Sequence, residues 1–320
     1  MEALWIMFRN VLVFVALAIP GFILIKTKLL KVEQSAALSK LLMYVGMPFL
    51  VITSTIDKIT FNKDLIIMIL VAILLAVVIM MSAFFASKPV AMVETEEKSR
   101  GMMRFCSIFS NNGFLGIPLA IAVLSGNANA VTVLIVMNIV TNVLMYTVGI
   151  YLISGDKKAI SIKKALLNPV LIAFIIGVIL NLVKIKQYVP EVATFSTHFS
   201  NIVTPISMTI LGMKMGGVKI LELFKSWKTY YVSAIKLIIL PTIAMAFLFA
   251  LRAIFQGGVI DSAMILGAFI AFATPTAGLA STFSDNFNGD TEGAVAYTLG
   301  STLLSVITIP VLYWLVCLLV

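Results

Sequence analysis

Two apolar stretches of this chain, each long enough to cross a bilayer, are interrupted by residues that a lipid-embedded helix does not carry without consequence. They read Asn111-Asn112-Gly113-Phe114-Leu115-Gly116-Ile117-Pro118 and Ala273-Thr274-Pro275-Thr276-Ala277-Gly278. Lipid offers no hydrogen-bond partner, so backbone groups freed by such a break persist only where protein or a wet cavity meets them. Pro275 follows Pro118 by 157 residues (275 minus 118), and Pro205 follows Pro48 by the same 157. Two membrane prolines recurring at nearly half of a 320-residue chain indicate an internal duplication. Paired Gly/Pro-interrupted spans in corresponding halves mark a carrier's binding site.

A span needs roughly 20 apolar residues, and the sequence supplies ten such segments, near 3–25, 35–56, 64–86, 105–124, 128–153, 168–183, 195–215, 229–250, 260–283 and 293–318. With 61% hydrophobic and 12% charged residues, the expected fold class is an all-α polytopic membrane protein. Five spans per half is an odd number, so the second half enters the membrane inverted. The reading is two inverted five-helix repeats, residues 1–153 and 168–320, joined by a short cytoplasmic linker, 154–167. The longest polar interval, 87–104, is too short to enclose a core of its own. The first span carries Arg9 inside its apolar run and no small-residue cleavage pattern, so it is read as a retained helix. Cys106 and Cys317 give no basis for a disulfide framework or a metal cluster, and no cofactor is expected.

The net charge of +9 does not indicate nucleic acid. Sixteen basic residues fall within 26–40, 88–104, 157–164 and 214–228, against five in the alternate connections. Positive-inside reasoning then places both termini on the external side of the cytoplasmic membrane. Gly113-Phe114-Leu115-Gly116 has no following Lys-Ser/Thr, which excludes a phosphate loop, and the lone His198 lacks a partner for hydrolytic chemistry, so no enzyme is expected.

The candidate site residues follow from the breaks. Asn111 and Asn112 offer amide donors and acceptors where an unsatisfied polar group is costly. Gly113 and Gly116 allow close backbone approach, and Pro118 removes an amide hydrogen. A half-helix starting there would aim a positive end at the cavity, which favours anions. Thr274, Pro275 and Thr276 form the matching break. Asn138, Thr141 and Asn142 share one face of the fifth span by their i, i+3, i+4 spacing and would line the cavity or bond neighbouring helices. Lys236 lies within the eighth span as a substrate charge partner, a proton-coupling group or a structural cation. No membrane-centre acid is present for a carboxylate-caged sodium site, although Asn side chains and carbonyls could hold a cation.

The Asn111–Pro118 stretch, Asn168-Pro169, Thr204-Pro205 with Leu211-Gly212, Lys236 with Pro241, and Pro275 together resemble the auxin efflux carrier family, which includes short prokaryotic malate permease-like members. The resemblance implies a bile-acid/sodium symporter-like fold with broken crossing helices 4 and 9. It implies a scaffold domain (spans 1, 2, 6 and 7) and a transport domain (spans 3–5 and 8–10), with Asn112 and the crossover around Pro118 and Pro275 as the carboxylate site. The long hydrophilic loop of plant members is absent. The implied function is elevator-type secondary transport of small organic anions, malate-like carboxylates first. Implied partners are the anion, the lipid bilayer, a coupling ion (proton or sodium) and a second copy of the chain through the scaffold. The alternatives are a sodium-coupled symporter of the bile-acid type and a non-transporting ligand- or lipid-binding receptor.

Overall fold

Apolar runs free of internal breakers become long helices in the computed structural model, which describes residues 2–58, 62–124, 126–160, 163, 166–256 and 258–320. Six helical stretches are long and apolar enough to cross a membrane: α1 (Trp5–Lys26), α2 (Val32–Ile56), α3 (Lys63–Val93), α6 (Ala128–Ser154), α10 (Trp227–Ile254) and α13 (Thr291–Leu319). Between them lie α4 (Glu97–Ile108), α5 (Asn112–Val123), α7 (Pro169–Leu182), α8 (Glu191–Ser200), α9 (Val203–Gly216), α11 (Ser262–Ala273) and α12 (Ala280–Asn286). No strand forms among the described residues. Lys164 and much of the expected linker, residues 161–162 and 164–165, lie outside them.

Besides spans 4 and 9, which were expected to be broken, other expected segments also fall short of a single long helix among the described residues. Segments 105–124, 195–215 and 260–283 each fall into two helices, and 168–183 yields the fourteen-residue α7. The polar interval 87–104 is also largely helical. Helix α3 runs through it to Val93, and α4 begins at Glu97. Helix α4 is amphipathic: Ser99, Met102, Met103 and Cys106 are buried, while Lys98 and Arg100 face outward.

Three of the internal prolines share a local feature, which also occurs without a proline at Met145–Gly149. A π-helical turn occupies Leu42–Gly46 before Pro48, Asn112–Gly116 before Pro118 and Ile235–Ile239 before Pro241. In each case it ends two residues ahead of the proline. A proline ring collides with the carbonyl four residues back and donates no hydrogen bond; the wider turn moves that carbonyl aside and lets the helix continue. Pro118 and Pro48 therefore sit inside continuing helices, and Pro118 does not break its span.

Glycines set the closest helix crossings. A Cβ on Gly21 of α1 would meet Thr209 O of α9 at 2.0 Å, and one on Gly212 of α9 would meet Ala18 O of α1 at 1.8 Å. Helix α7 packs on α2 with Gly177 against Thr55, and α11 packs on α6 with Gly267 against Ala130 O. Helices α1, α2, α7, α8 and α9 share one set of contacts; α3, α4, α6, α10, α11 and α13 share another, and α1 also lies against α13. Large apolar side chains on the outer faces of α1, α3, α7 and α10 are exposed, including Leu70, Leu74, Ile179 and Ile243. In a bilayer these faces meet lipid.

Candidate functional site

The two breaks meet. Between α4 and α5 the backbone is extended at Phe109, with φ −83° and ψ 125°. Between α11 and α12 Thr274 is extended with φ −67° and ψ 150°, as a residue before proline prefers. The unwound segments run antiparallel and pair Ser110 with Thr276. The Asn111 N–H donates to Pro275 O at 2.7 Å, and the Ala277 N–H donates to Phe109 O at 2.9 Å. Backbone groups orphaned in one half of the chain are thus satisfied by the other, as a site at bilayer depth requires.

Side chains engage most of the second break, although the Thr274 hydroxyl is buried without a hydrogen-bond partner. Thr276 Oγ1 donates to Cys106 O at 2.8 Å, while its N–H donates to Ser301 Oγ at 3.2 Å. Lys236, 0% exposed, donates from Nζ to Ser110 Oγ at 2.5 Å and to Phe272 O at 3.1 Å. Its ammonium therefore sits by the C-terminal ends of α4 and α11, where the helix dipoles favour a cation.

The first break is organised differently. Asn112, 1% exposed, donates from Nδ2 to Thr141 Oγ1 at 3.0 Å and accepts at Oδ1 from Asn138 Nδ2 at 2.8 Å. Asn142 Nδ2 donates to Asn138 O at 2.9 Å and to Asn138 Oδ1 at 3.1 Å. The shared face read from the i, i+3, i+4 spacing on α6 is thus a network that anchors Asn112. Asn111 is different: its amide is half-buried, lies beside Gly278, and makes no side-chain hydrogen bond among the described residues. The N–H groups of Asn112, Gly113 and Phe114 open α5 and make no backbone hydrogen bond there either, as a helix start requires.

These groups line a cleft of about 40 Å³ that includes Asn111, Asn112, Gly113, Asn138 and Asn142. Gly116, Pro118, Thr274, Pro275, Thr276 and Lys236 do not line it. Gly116 instead packs against Thr274, and Lys236 is engaged at Ser110 and Phe272. Sequence reasoning gives no signal for Ser110 or the methionines Met43, Met47 and Met145, and names Phe114 and Gly278 only within the interrupted stretches; all of them line the cleft. It quoted Asn168 only as part of a motif; here Asn168 lines the cleft and caps α7 by accepting from the Val170 N–H at 2.8 Å. The cleft shares Met43, Asn168 and Leu279 with a vestibule of about 640 Å³ whose walls include Lys40, Lys163, Tyr44 and Tyr146.

Lys214 was counted with the loop lysines, yet it lies in α9. Its Nζ donates to Gly278 O at 3.0 Å and Ser281 Oγ at 3.1 Å, tying α9 to the turn after the second break. Nothing in its local sequence marks this role, because the partner lies 64 residues away.

A comparison with curated proteins found no match. A family model described as "Membrane transport protein" matches residues 6–313, nearly the whole chain. The breaks meeting in the interior, the lipid-facing helices and this match agree: the chain is a multi-pass membrane transporter of the auxin efflux carrier/membrane transport protein family.

Proposed function

We propose that this protein is a secondary transporter of small organic anions, malate-like carboxylates first, working across the cytoplasmic membrane by elevator-type alternating access. The observation that carries this reading is the first break: three free N–H groups at the start of α5 and the unengaged Asn111 amide converge on a cleft. A carboxylate matches four such donors, and the positive end of α5 adds to its stabilisation. The cleft admits the carboxylate, and the rest of the substrate extends into the vestibule, where Lys40 and Lys163 attract the anion.

Inverted repeats are supported by the glycine crossings. The α1–α9 crossing, where Gly21 meets Thr209 and Gly212 meets Ala18, has a counterpart in the α2–α7 crossing, where Gly177 meets Thr55. Gly212 lies 157 residues after Thr55 (212 minus 55), and Gly177 lies 156 after Gly21 (177 minus 21). One helix crossing repeats with the halves exchanged, as two inverted units of five spans would produce. The two contact groups then correspond to a scaffold (spans 1, 2, 6 and 7) and a transport domain (spans 3–5 and 8–10). Lys214 of the scaffold holds the crossover turn of the transport domain in a conformation whose vestibule opens toward the basic, cytoplasmic face. With the inside negative, an anion gains about 2.3 kcal/mol per charge per 100 mV on leaving, so export needs no coupled ion and import does.

The test is counterflow of labelled malate, with a panel of other carboxylates, in proteoliposomes containing the purified protein. Saturable exchange of at least one carboxylate is expected. Ligand binding without exchange for every anion would replace the carrier by a receptor, and exchange only with sodium present would make it a symporter.

A further inference from the structure

A second cavity, away from the crossover, lies between α3 and α10. It has a volume of about 420 Å³ and almost wholly apolar walls, including Val78, Ala83 and Val90 on α3 and Ile239, Ile243 and Phe247 on α10. Ser107 and Ile108 of α4, both buried, line it between them. Several wall residues, among them Ile243 and Phe247, are exposed, so the groove opens sideways, where a membrane helix meets lipid. From Val78 to Val90 it follows twelve residues of α3, about 18 Å at 1.5 Å per residue. That is close to half of a hydrocarbon core about 30 Å thick. The groove thus has the shape and depth of a single extended hydrocarbon chain lying in one leaflet.

One end is charged. Arg104 stands one turn before Ser107 and Ile108 on the same face of α4. Its Nε donates to Ser87 Oγ at 2.9 Å and its Nη2 to Phe84 O at 3.1 Å, with the guanidinium over the Phe84 ring. Ser87 is itself a groove residue. Among the described residues no carboxylate pairs with Arg104, and Nη1 has no hydrogen-bond partner. Beyond it the Lys228–Glu94 ion pair, at 2.5 Å, ties the start of α10 to the residue after α3 and closes the groove.

We propose that this groove binds an anionic phospholipid from the leaflet on the basic face, with one acyl chain between α3 and α10 and its phosphate on Arg104. An apolar channel alone would accept any lipid chain. The unpaired guanidinium at its mouth, at the end where basic residues concentrate, selects a headgroup with net negative charge.

To test this, the full-length protein in detergent is titrated with dioleoyl phosphatidylglycerol or dioleoyl phosphatidylcholine, and bound lipid is counted by native mass spectrometry. The wild type should half-saturate with one phosphatidylglycerol at a concentration about fivefold or more below that for phosphatidylcholine, the scale of one basic group near a membrane surface. Arg104→Gln should bring the two half-saturation points together. Ala86→Trp, at an exposed groove position, should weaken both by filling the channel, and it leaves Arg104 in place should the first variant fold poorly. Equal retention of the two lipids by the wild type, an unchanged preference in Arg104→Gln, or undiminished binding in Ala86→Trp would each overturn the proposal.

Discussion

The two breaks answer one architectural problem in different ways. At the second, around Pro275, Thr276 bonds through both hydroxyl and N–H, and Lys236 holds the carbonyl of Phe272. At the first, around Ser110, the buried amides of Asn112, Asn138 and Asn142 satisfy one another, while Asn111 and the first N–H groups of α5 are left without partners. The second break is thus engaged at Thr276 and Lys236, with the buried Thr274 hydroxyl left unpaired, whereas the first offers the Asn111 amide and the N–H groups that open α5. On the proposed function, substrate chemistry belongs to the first break and rigidity to the second, a division that substitutions can separate.

The largest effect is expected from Asn112→Leu, which strips hydrogen-bond partners from Asn138 and Thr141 in the interior. Thr141 keeps its bond to Met137 O, so the one buried group left unsatisfied is the Asn138 amide, at about 1–3 kcal/mol. Both thermal stability in detergent and transport should fall. Asn111→Ala should separate the two readouts: carboxylate exchange drops about tenfold or more, the scale of a hydrogen bond to a charged group, while stability stays within about 0.5 kcal/mol. Thr276→Val should do the reverse, costing about 1–3 kcal/mol through the orphaned Cys106 carbonyl and leaving exchange per folded molecule unchanged. If both variants lost transport alone, the closed break would be a binding site as well.

Smaller effects concern the edges of this comparison. Removing the Lys214 tether with Lys214→Met should shift the population away from the vestibule-open conformation, read as reduced labelling of a cysteine introduced at Tyr44, a vestibule wall residue. At the membrane face, the hydrogen bond from Lys228 holds the Glu94 carboxyl below its usual 4.5, with burial opposing. Because that pKa is lowered on folding, the pair's stabilisation is complete above about 4.5 and is lost as pH falls through the lower folded value. The melting temperature should therefore drop less between pH 6 and pH 3 in Glu94→Gln than in the wild type.

What the sequence made legible was where lipid-embedded backbone would be in trouble. The second break was located to the residue because Pro275 causes it. The first was placed across Asn111–Pro118, which overlaps the unwound backbone at 109–111 only at Asn111, because Pro118 is accommodated by the π turn Asn112–Gly116. The unwinding itself comes from pairing with residues 275–277, a contact between segments 166 residues apart (276 minus 110) that no local signal encodes. Asn112 and Asn111 looked alike as neighbours; only the positions of Thr141 and Asn138 distinguish an engaged amide from a free one. Lys214 and the basic residues of α4 were grouped with loops because charge usually marks solvent, whereas amphipathic half-helices carry both.

The most direct test of the division between the breaks is carboxylate counterflow measured side by side for Asn111→Ala and Thr276→Val, reconstituted at equal amounts of folded protein. The account predicts exchange reduced about tenfold or more in Asn111→Ala and exchange equal to wild type in Thr276→Val. Wild-type exchange in Asn111→Ala would contradict it.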